Sequence, residues 1–312
     1  MTTDDQEIQR IVELVVARVR ERLSGSPLPS PEGADSCDRC TRTASECTGC
    51  GYSVRRRPDD ARRIIDLGAV RLSAKLGIGE VRSDLAPYID HTLLKPDATK
   101  EDLTRLCEEA KRYGFASVCV NPGNVRFCKS LLQGTNVMVV AVVGFPLGAT
   151  SPEAKAFEAR EAVRNGADEI DMVMNIGAIK SKDYALVLED IRRVASAVAP
   201  KKVKVIIETG MLTHNEKVVA CALSKVGGAA FVKTSTGFGP GGATAEDVSL
   251  MKEVVGEGVE VKASGGIRTA EQAQKMLEAG ATRIGASASV AIVTGKGKAK
   301  SERRARASSR GY

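Results

Sequence analysis

From Tyr88 onward the chain alternates short β-type runs with helical stretches, the pattern of βαβ units that build a parallel sheet. Eight runs follow one another: Tyr88 to Thr92, Ser117 to Val120, Val137 to Gly144, Glu169 to Asn175, Lys204 to Thr209, Ala230 to Thr234, Glu260 to Ser264 and Arg283 to Gly285. Between them, segments such as Lys100 to Tyr113, Ser151 to Asn165, Lys182 to Val198 and Thr269 to Ala279 carry helical patterning. Eight units in roughly 210 residues match a closed parallel (β/α)8 TIM barrel rather than an open sheet, and no dinucleotide-type glycine fingerprint follows the first run. The expected class is α/β: a barrel over 85–293, preceded by a helical and four-cysteine extension.

At 312 residues and 43% hydrophobic composition, the chain can build one large core with appendages. Its net charge of +7 suggests nucleic acid at first sight. The segment 294–312, however, holds Lys296, Lys298, Lys300, Arg303, Arg304, Arg306 and Arg310 against Glu302 alone, which is six of those seven charges. The rest is nearly neutral, so the folded part has no implied basic groove, and the tail is read as disordered and solvated. No apolar run reaches the roughly 18 residues that span a bilayer, and the first residues are acidic (Asp4, Asp5, Glu7). We expect a cytoplasmic protein without a membrane partner and without nucleic-acid binding by its core.

The extension divides into parts. Residues 1–23 space Ile8, Ile11, Val12, Val15, Val16, Val19 and Leu23 as one face of an amphipathic helix. Residues 24–36 form a Pro/Gly/Ser linker. In 37–51, Cys37, Cys40, Cys47 and Cys50 form paired Cys-x-x-Cys units that could close a tetrahedral site, with a spacer shorter than in a zinc ribbon. Structural zinc, an iron–sulfur cluster and unligated or redox thiols all stay open. Residues 52–84 read as a helical connector, with Pro58 in a first turn and Gly77 and Gly79 as a stop.

Chemistry in such a barrel is expected at the C-terminal ends of the strands, with apolar, branched residues filling the strand interiors. Lys233 and Lys262 stand on adjacent strands, where both cannot comfortably stay protonated. Desolvation and like charge favour one neutral amine, the form that adds to an aldehyde, while Asp171 across the barrel compensates the lysine that stays charged. The glycines of Ser264-Gly265-Gly266-Ile267-Arg268 and the hydroxyls of Gly285-Ala286-Ser287-Ala288-Ser289 follow the last two strands, where barrels often bind phosphate. Only His91 and His214 occur, too few for the histidine-rich zinc site of a metal-dependent aldolase.

Five strings, Ile89-Asp90-His91-Thr92-Leu93-Leu94-Lys95-Pro96, Val118-Cys119-Val120-Asn121-Pro122, Gly144-Phe145-Pro146-Leu147-Gly148, Glu169 through Gly177, and Phe231-Val232-Lys233-Thr234-Ser235-Thr236-Gly237-Phe238, resemble the deoxyribose-phosphate aldolase family, as does Lys262 through Arg268. The resemblance covers about Leu85 to Val293 and implies reversible cleavage of 2-deoxy-D-ribose 5-phosphate to acetaldehyde and D-glyceraldehyde 3-phosphate, with no catalytic cofactor. It implies Lys233 as Schiff-base former, Lys262 as the cation beside it and Asp171 as proton carrier. We assign Asp90, Thr92, Cys119 and Thr236 to substrate binding. Gly237, Gly265, Gly266 and Ser287 match the phosphate positions, while Ala288 stands where many relatives have another serine. A homo-oligomer is expected.

Two other readings compete. One is another Schiff-base phosphosugar aldolase or transaldolase-like barrel. The other is a non-catalytic binding protein that works through the four-cysteine module and the basic tail. Residues 1–23 with their linker also resemble encapsulation peptides, which makes shell proteins of a bacterial microcompartment a candidate partner and its lumen a candidate location.

Overall fold

The computed structural model describes residues 84–295, together with Arg10, Glu13, Leu14 and Ala17. Those four are helical and exposed. The rest of residues 1–23, the linker, the four-cysteine module with Cys37, Cys40, Cys47 and Cys50, the connector up to residue 83 and the tail beyond Gly295 lie outside the described residues.

Eight strands close a barrel in chain order: β1 (Ile89–Leu93), β2 (Ser117–Val120), β3 (Met138–Val143), β4 (Glu169–Val173), β5 (Lys202–Ile206), β6 (Phe231–Lys233), β7 (Glu260–Ser264) and β8 (Arg283–Ala286). Every neighbouring pair is parallel, including β8 with β1. The connecting helices are α1 (Lys100–Tyr113), α2 (Val125–Leu131), α3 (Pro152–Arg164), α4 (Ile176–Lys180), α5 (Tyr184–Val198), α6 (His214–Val226), α7 (Ala245–Val255), α8 (Ala270–Glu278) and α9 (Ser289–Thr294). Their starts are written in the sequence. Thr99 with Asp102, Thr213 with Glu216 and Thr269 with Gln272 form reciprocal capping boxes that satisfy first-turn N–H groups.

Two strands end at least two residues earlier than expected, β4 at Val173 and β5 at Ile206. Asn175, read as strand, caps α4 instead by accepting from Ala178 N–H. On the fifth strand Glu208 turns left-handed (φ 54°), so the ladder stops at Ile206.

Strand side chains alternate between two environments. Ile89, Val118, Val139, Ile170, Val205, Val232, Val261 and Ile284 point outward and join the helices in one buried apolar shell. The opposite parity faces the lumen, and here the expectation of an apolar, branched interior is overturned. Asp90, Ser117, Glu169, Asp171, Lys204, Lys233 and Lys262 are all buried and contact one another across the ring. Apolar side chains in the lumen include a small cluster of Leu94, Cys119, Val140 and Val142, with Phe145 packed against it, and Phe231, whose ring faces Lys204 and Arg283. Charges are tolerated inside because each meets an opposite charge there; alone, each would face a desolvation penalty of several kcal/mol.

Candidate active site

The lumen is organised around Asp171, in the middle of β4 and without solvent exposure. Its Oδ2 accepts from Lys233 Nζ at 2.8 Å and from Lys262 Nζ at 2.7 Å, while Oδ1 accepts from Lys204 Nζ at 2.9 Å. Register explains this meeting: Asp171 pairs with Lys204, and Lys233 with Lys262. The pair of lysines predicted to be neighbours therefore is one, and a single carboxylate oxygen joins them.

The network continues beyond the predicted trio. Lys262 also reaches Asp90 Oδ2 at 2.5 Å, Lys204 reaches Glu169 at 2.6 Å, and Arg283 spans Asp90 at 2.8 Å and Glu169 at 3.5 Å. Four cations and three carboxylates close a ring. Among the described residues Lys204, Lys262 and Arg283 each hold two carboxylates, whereas Lys233 has Asp171 alone, and shares it. Lys233 is thus the least neutralised cation, at the C-terminal end of β6 where the barrel opens.

Burial would raise the Asp171 carboxyl, but Lys204, Lys233 and Lys262 together hold it well below the usual carboxylate range. Burial would raise Asp90 too, and there Lys262, Lys204 and Arg283 outweigh it and lower the group. Burial alone would push the Lys262 ammonium down, yet Asp171 and Asp90 outweigh it and hold the group above its ordinary value. Lys262 is therefore held firmly in its charged form by its two carboxylates.

The residues assigned to substrate binding are placed less uniformly. Asp90 sits deep in the ion network, where Ser117 Oγ also donates to it at 2.6 Å. The Thr92 hydroxyl donates to the Asp90 carbonyl at 2.9 Å, and the Thr236 hydroxyl donates to the Glu208 carboxylate. Cys119 belongs to the apolar lumen cluster, and burial raises its thiol.

The phosphate candidates lie on the loops after β6, β7 and β8. Gly237, Gly266 and Ser287 are exposed and Gly265 is half-buried. Among the described residues the N–H groups of Gly237, Gly265 and Gly266 have no acceptor. A β-carbon on Gly265 would lie 3.1 Å from Gly242 Cα and 3.2 Å from Ser235 Cβ, so glycine lets the two loops touch. A cavity of about 450 Å³ opens there, lined by Gly241, Gly242 and Thr244 on one side and Gly265, Gly266 and Ile267 on the other. Ser289, by contrast, is buried and engaged with His91 Nδ1 (3.0 Å) and the Ala286 carbonyl (2.8 Å).

Lys204, Glu169, Arg283 and Glu208 join the site beyond the residues expected from the sequence. The first two carried one usable signal: period-two alternation gives Glu169 and Lys204 the lumen parity of Asp171. Among the described residues no group of three or more His, Cys, Asp or Glu side chains is arranged to hold a metal, and no helix is long and apolar enough to cross a membrane.

Residues 85–297 match the family model described as DeoC/LacD family aldolase. The chain is 62% identical over 212 residues to the deoxyribose-phosphate aldolase of Aciduliprofundum boonei, a match that covers 67% of this chain and 96% of the relative. It is 57% identical over 213 residues to that of Macrococcus caseolyticus, covering 68% and 97%. Among solved structures, a putative deoxyribose-phosphate aldolase from Coccidioides immitis superposes with a TM-score of 0.67 at 45% identity, covering 76% of this chain and 97% of the other. The deoxyribose phosphate aldolase from Aeropyrum pernix, described as having a unique tetrameric structure, gives 0.64 at 33% identity, covering 75% and 96%.

Proposed function

The chain belongs to the DeoC/LacD family of aldolases and carries deoxyribose-phosphate aldolase activity; from this premise we propose that Lys233 forms the Schiff base, Lys262 holds the positive charge beside it, and Asp171 carries protons. The carrying observation is the unequal neutralisation of the lysines. Lys262 has two carboxylates and Lys233 a share of one. Amines add to carbonyls as free bases, and the cluster balances at three charges of each sign when Lys233 is the one without a proton.

In the cleavage direction Lys233 Nζ adds to C1 of the open-chain sugar and water leaves, giving an iminium. Removal of the proton on the C3 hydroxyl lets the C2–C3 bond break. Its electron pair flows into the iminium, leaving an enamine and releasing D-glyceraldehyde 3-phosphate. Asp171, kept ionised by Lys204, Lys262 and the iminium itself, accepts that proton through a bridging water and returns it to C2. Hydrolysis of the resulting imine frees acetaldehyde and restores Lys233. The loops at Gly237, Gly265, Gly266 and Ser287 would hold the 5-phosphate by N–H donation and hydroxyl contact.

Borohydride reduction in the presence of acetaldehyde, followed by peptide mass mapping, tests the assignment. A label on Lys233 that disappears in Lys233→Leu is expected. An active enzyme that traps no aldehyde on Lys233 would overturn it. Acetaldehyde among the products separates this activity from a Schiff-base lyase acting on another phosphosugar.

Beyond the barrel, residues 1–33 act as an address that directs the enzyme into a microcompartment of the cytoplasm, a role supported by the apolar periodicity of the sequence from Ile8 to Leu23, by the linker composition and by the volatility of acetaldehyde. A reporter fused to residues 1–33 should gather in shells; a diffuse signal in shell-producing cells would refute it. Assembly into a homo-oligomer rests on likeness to the Aeropyrum pernix enzyme. Zinc or an iron–sulfur cluster at Cys37, Cys40, Cys47 and Cys50 rests on spacing alone, and metal analysis of the purified full chain decides it.

A further inference from the structure

Glu208 follows β5 in a conformation that costs any residue bearing a β-carbon: φ 54°, ψ 68°. The residue is 2% exposed, and one carboxylate oxygen, Oε1, is buried without a hydrogen-bond partner among the described residues. A strained backbone and a half-satisfied buried acid at one position are both unfavourable. Their reason lies in the neighbouring loop. Oε2 accepts from Thr236 N–H at 3.2 Å and from the Thr236 hydroxyl. The Thr236 Oγ1 so oriented accepts in turn from Phe238 N–H at 3.1 Å and Gly239 N–H at 3.3 Å.

The chain makes room for this arrangement. A β-carbon on Gly239 would come within 3.0 Å of the Glu208 carboxylate, and one on Gly210 would lie 2.0 Å from the Pro240 carbonyl oxygen. The turn after β5 is therefore a template against which the loop after β6 is moulded. Of the four consecutive N–H groups from Thr236 to Gly239, three are consumed by the Glu208–Thr236 unit. That of Gly237 is left over, directed by a left-handed glycine (φ 85°).

The loop from Ser235 to Gly242 contains no lysine or arginine. Any affinity it has for an anion depends on where its N–H dipoles point. We infer that Glu208 is a positioning residue for recognition of the substrate's phosphate: by occupying the competing donors it fixes the loop so that Gly237 N–H faces the phosphoryl oxygens. This role rests on the phosphate-loop reading given above. The carboxylate does not touch the phosphate; its hydrogen-bonding capacity is used on Thr236.

The test is the ratio of kcat/KM for 2-deoxyribose 5-phosphate to that for unphosphorylated 2-deoxyribose, followed by acetaldehyde release from the full-length enzyme. Glu208→Gly removes the carboxylate while relieving the backbone strain, so the fold should be kept. The ratio should drop at least tenfold through KM for the phosphorylated sugar, with kcat/KM for 2-deoxyribose within about twofold of the parent. Glu208→Asp keeps the charge but withdraws the oxygens by one methylene, and should lose the ratio in the same way. Glu208→Gln, which keeps an acceptor oxygen within reach of Thr236, should retain most of it. Equal losses with both sugars in Glu208→Gly or Glu208→Asp would reduce Glu208 to a structural residue, and an unchanged ratio would overturn the inference outright. A parent enzyme with no preference for the phosphorylated sugar would instead refute the phosphate-loop reading itself.

Discussion

A β-carbon on Gly285 would lie 3.1 Å from Cε of Lys262, so the stem of the lysine occupies the space that a side chain on β8 would take. The same carbon would come 2.9 Å from Ser264 Cβ. Glycine at this strand position is what lets Lys262 cross the lumen to Asp90 and Asp171. Gly285→Ala should keep the fold but displace the ammonium, and a displacement near 1 Å costs about 10²-fold in rate. Steady-state kinetics beside circular dichroism checks this; a Gly285→Ala enzyme at full rate would mean that the lysine's placement is not critical.

Removing the charge of Lys262 should be felt before the carbon–carbon bond breaks. In Lys262→Met the stem stays but Asp171 loses one of its three cations, and the charge that shares Oδ2 with Lys233 is gone. We expect turnover to fall by roughly 10²- to 10⁴-fold, the scale of a lost proton-transfer or charge-positioning group. Borohydride trapping should slow with it. Trapping at the parent rate with turnover abolished would move the role of Lys262 to a step after imine formation.

The ion ring also sets a pH dependence of stability. Asp90 and Asp171 have folded-state pKa values depressed by the surrounding cations despite burial. A depressed carboxyl contributes stability that is complete above the unfolded value, about 4, and is lost as pH falls through the folded one. Lys262 and Arg283 are raised, so their contributions are complete below the unfolded lysine and arginine values and drain only at strongly alkaline pH. Urea midpoints should therefore hold across neutral pH and decline on the acid side from about pH 5 downward. In Asp90→Asn the proton uptake on unfolding near pH 3 should be smaller by up to about one proton. Equal uptake in both proteins would contradict the depressed value.

Much of this was legible in the sequence because barrel periodicity is strong and local. Eight β-type runs and the capping signals at Thr99, Thr213 and Thr269 each need only a few consecutive residues. The lysine pair was legible for the same reason, since adjacent strands of a parallel barrel place Lys233 beside Lys262. Partnerships spanning the lumen were harder. Nothing near Arg283 in sequence announces that it bridges Asp90 and Glu169, because those contacts cross 193 and 114 residues. The expectation of an apolar interior failed because ion pairs between strands let Lys204, Glu169 and Asp90 occupy lumen positions that apolar residues usually fill. Glu208 escaped because its role depends on a left-handed backbone at a non-glycine residue, which composition does not reveal.

Lys155 and Asp190 form a second buried pair, outside the lumen, where α3 crosses α5. Nζ lies 2.5 Å from Asp190 Oδ2 and 2.9 Å from the carbonyl of Val173, which ends the strand carrying Asp171. Burial lowers the Lys155 ammonium and raises the Asp190 carboxyl, although each attracts the other. Desolvation thus exceeds attraction, and the pair as a whole adds little stability. Half of it is much worse than none. Lys155→Met should destabilise by about 3–5 kcal/mol by leaving a buried uncompensated carboxylate, and Asp190→Leu by a similar amount through a stranded ammonium. The double variant Lys155→Met/Asp190→Leu should recover most of that loss, giving a large coupling in urea unfolding, because two buried charges are then exchanged for apolar contact. Strictly additive losses would show that each residue acts through something other than its partner. Lys155→Met should also lower turnover, since the end of β4 loses an anchor two residues beyond Asp171.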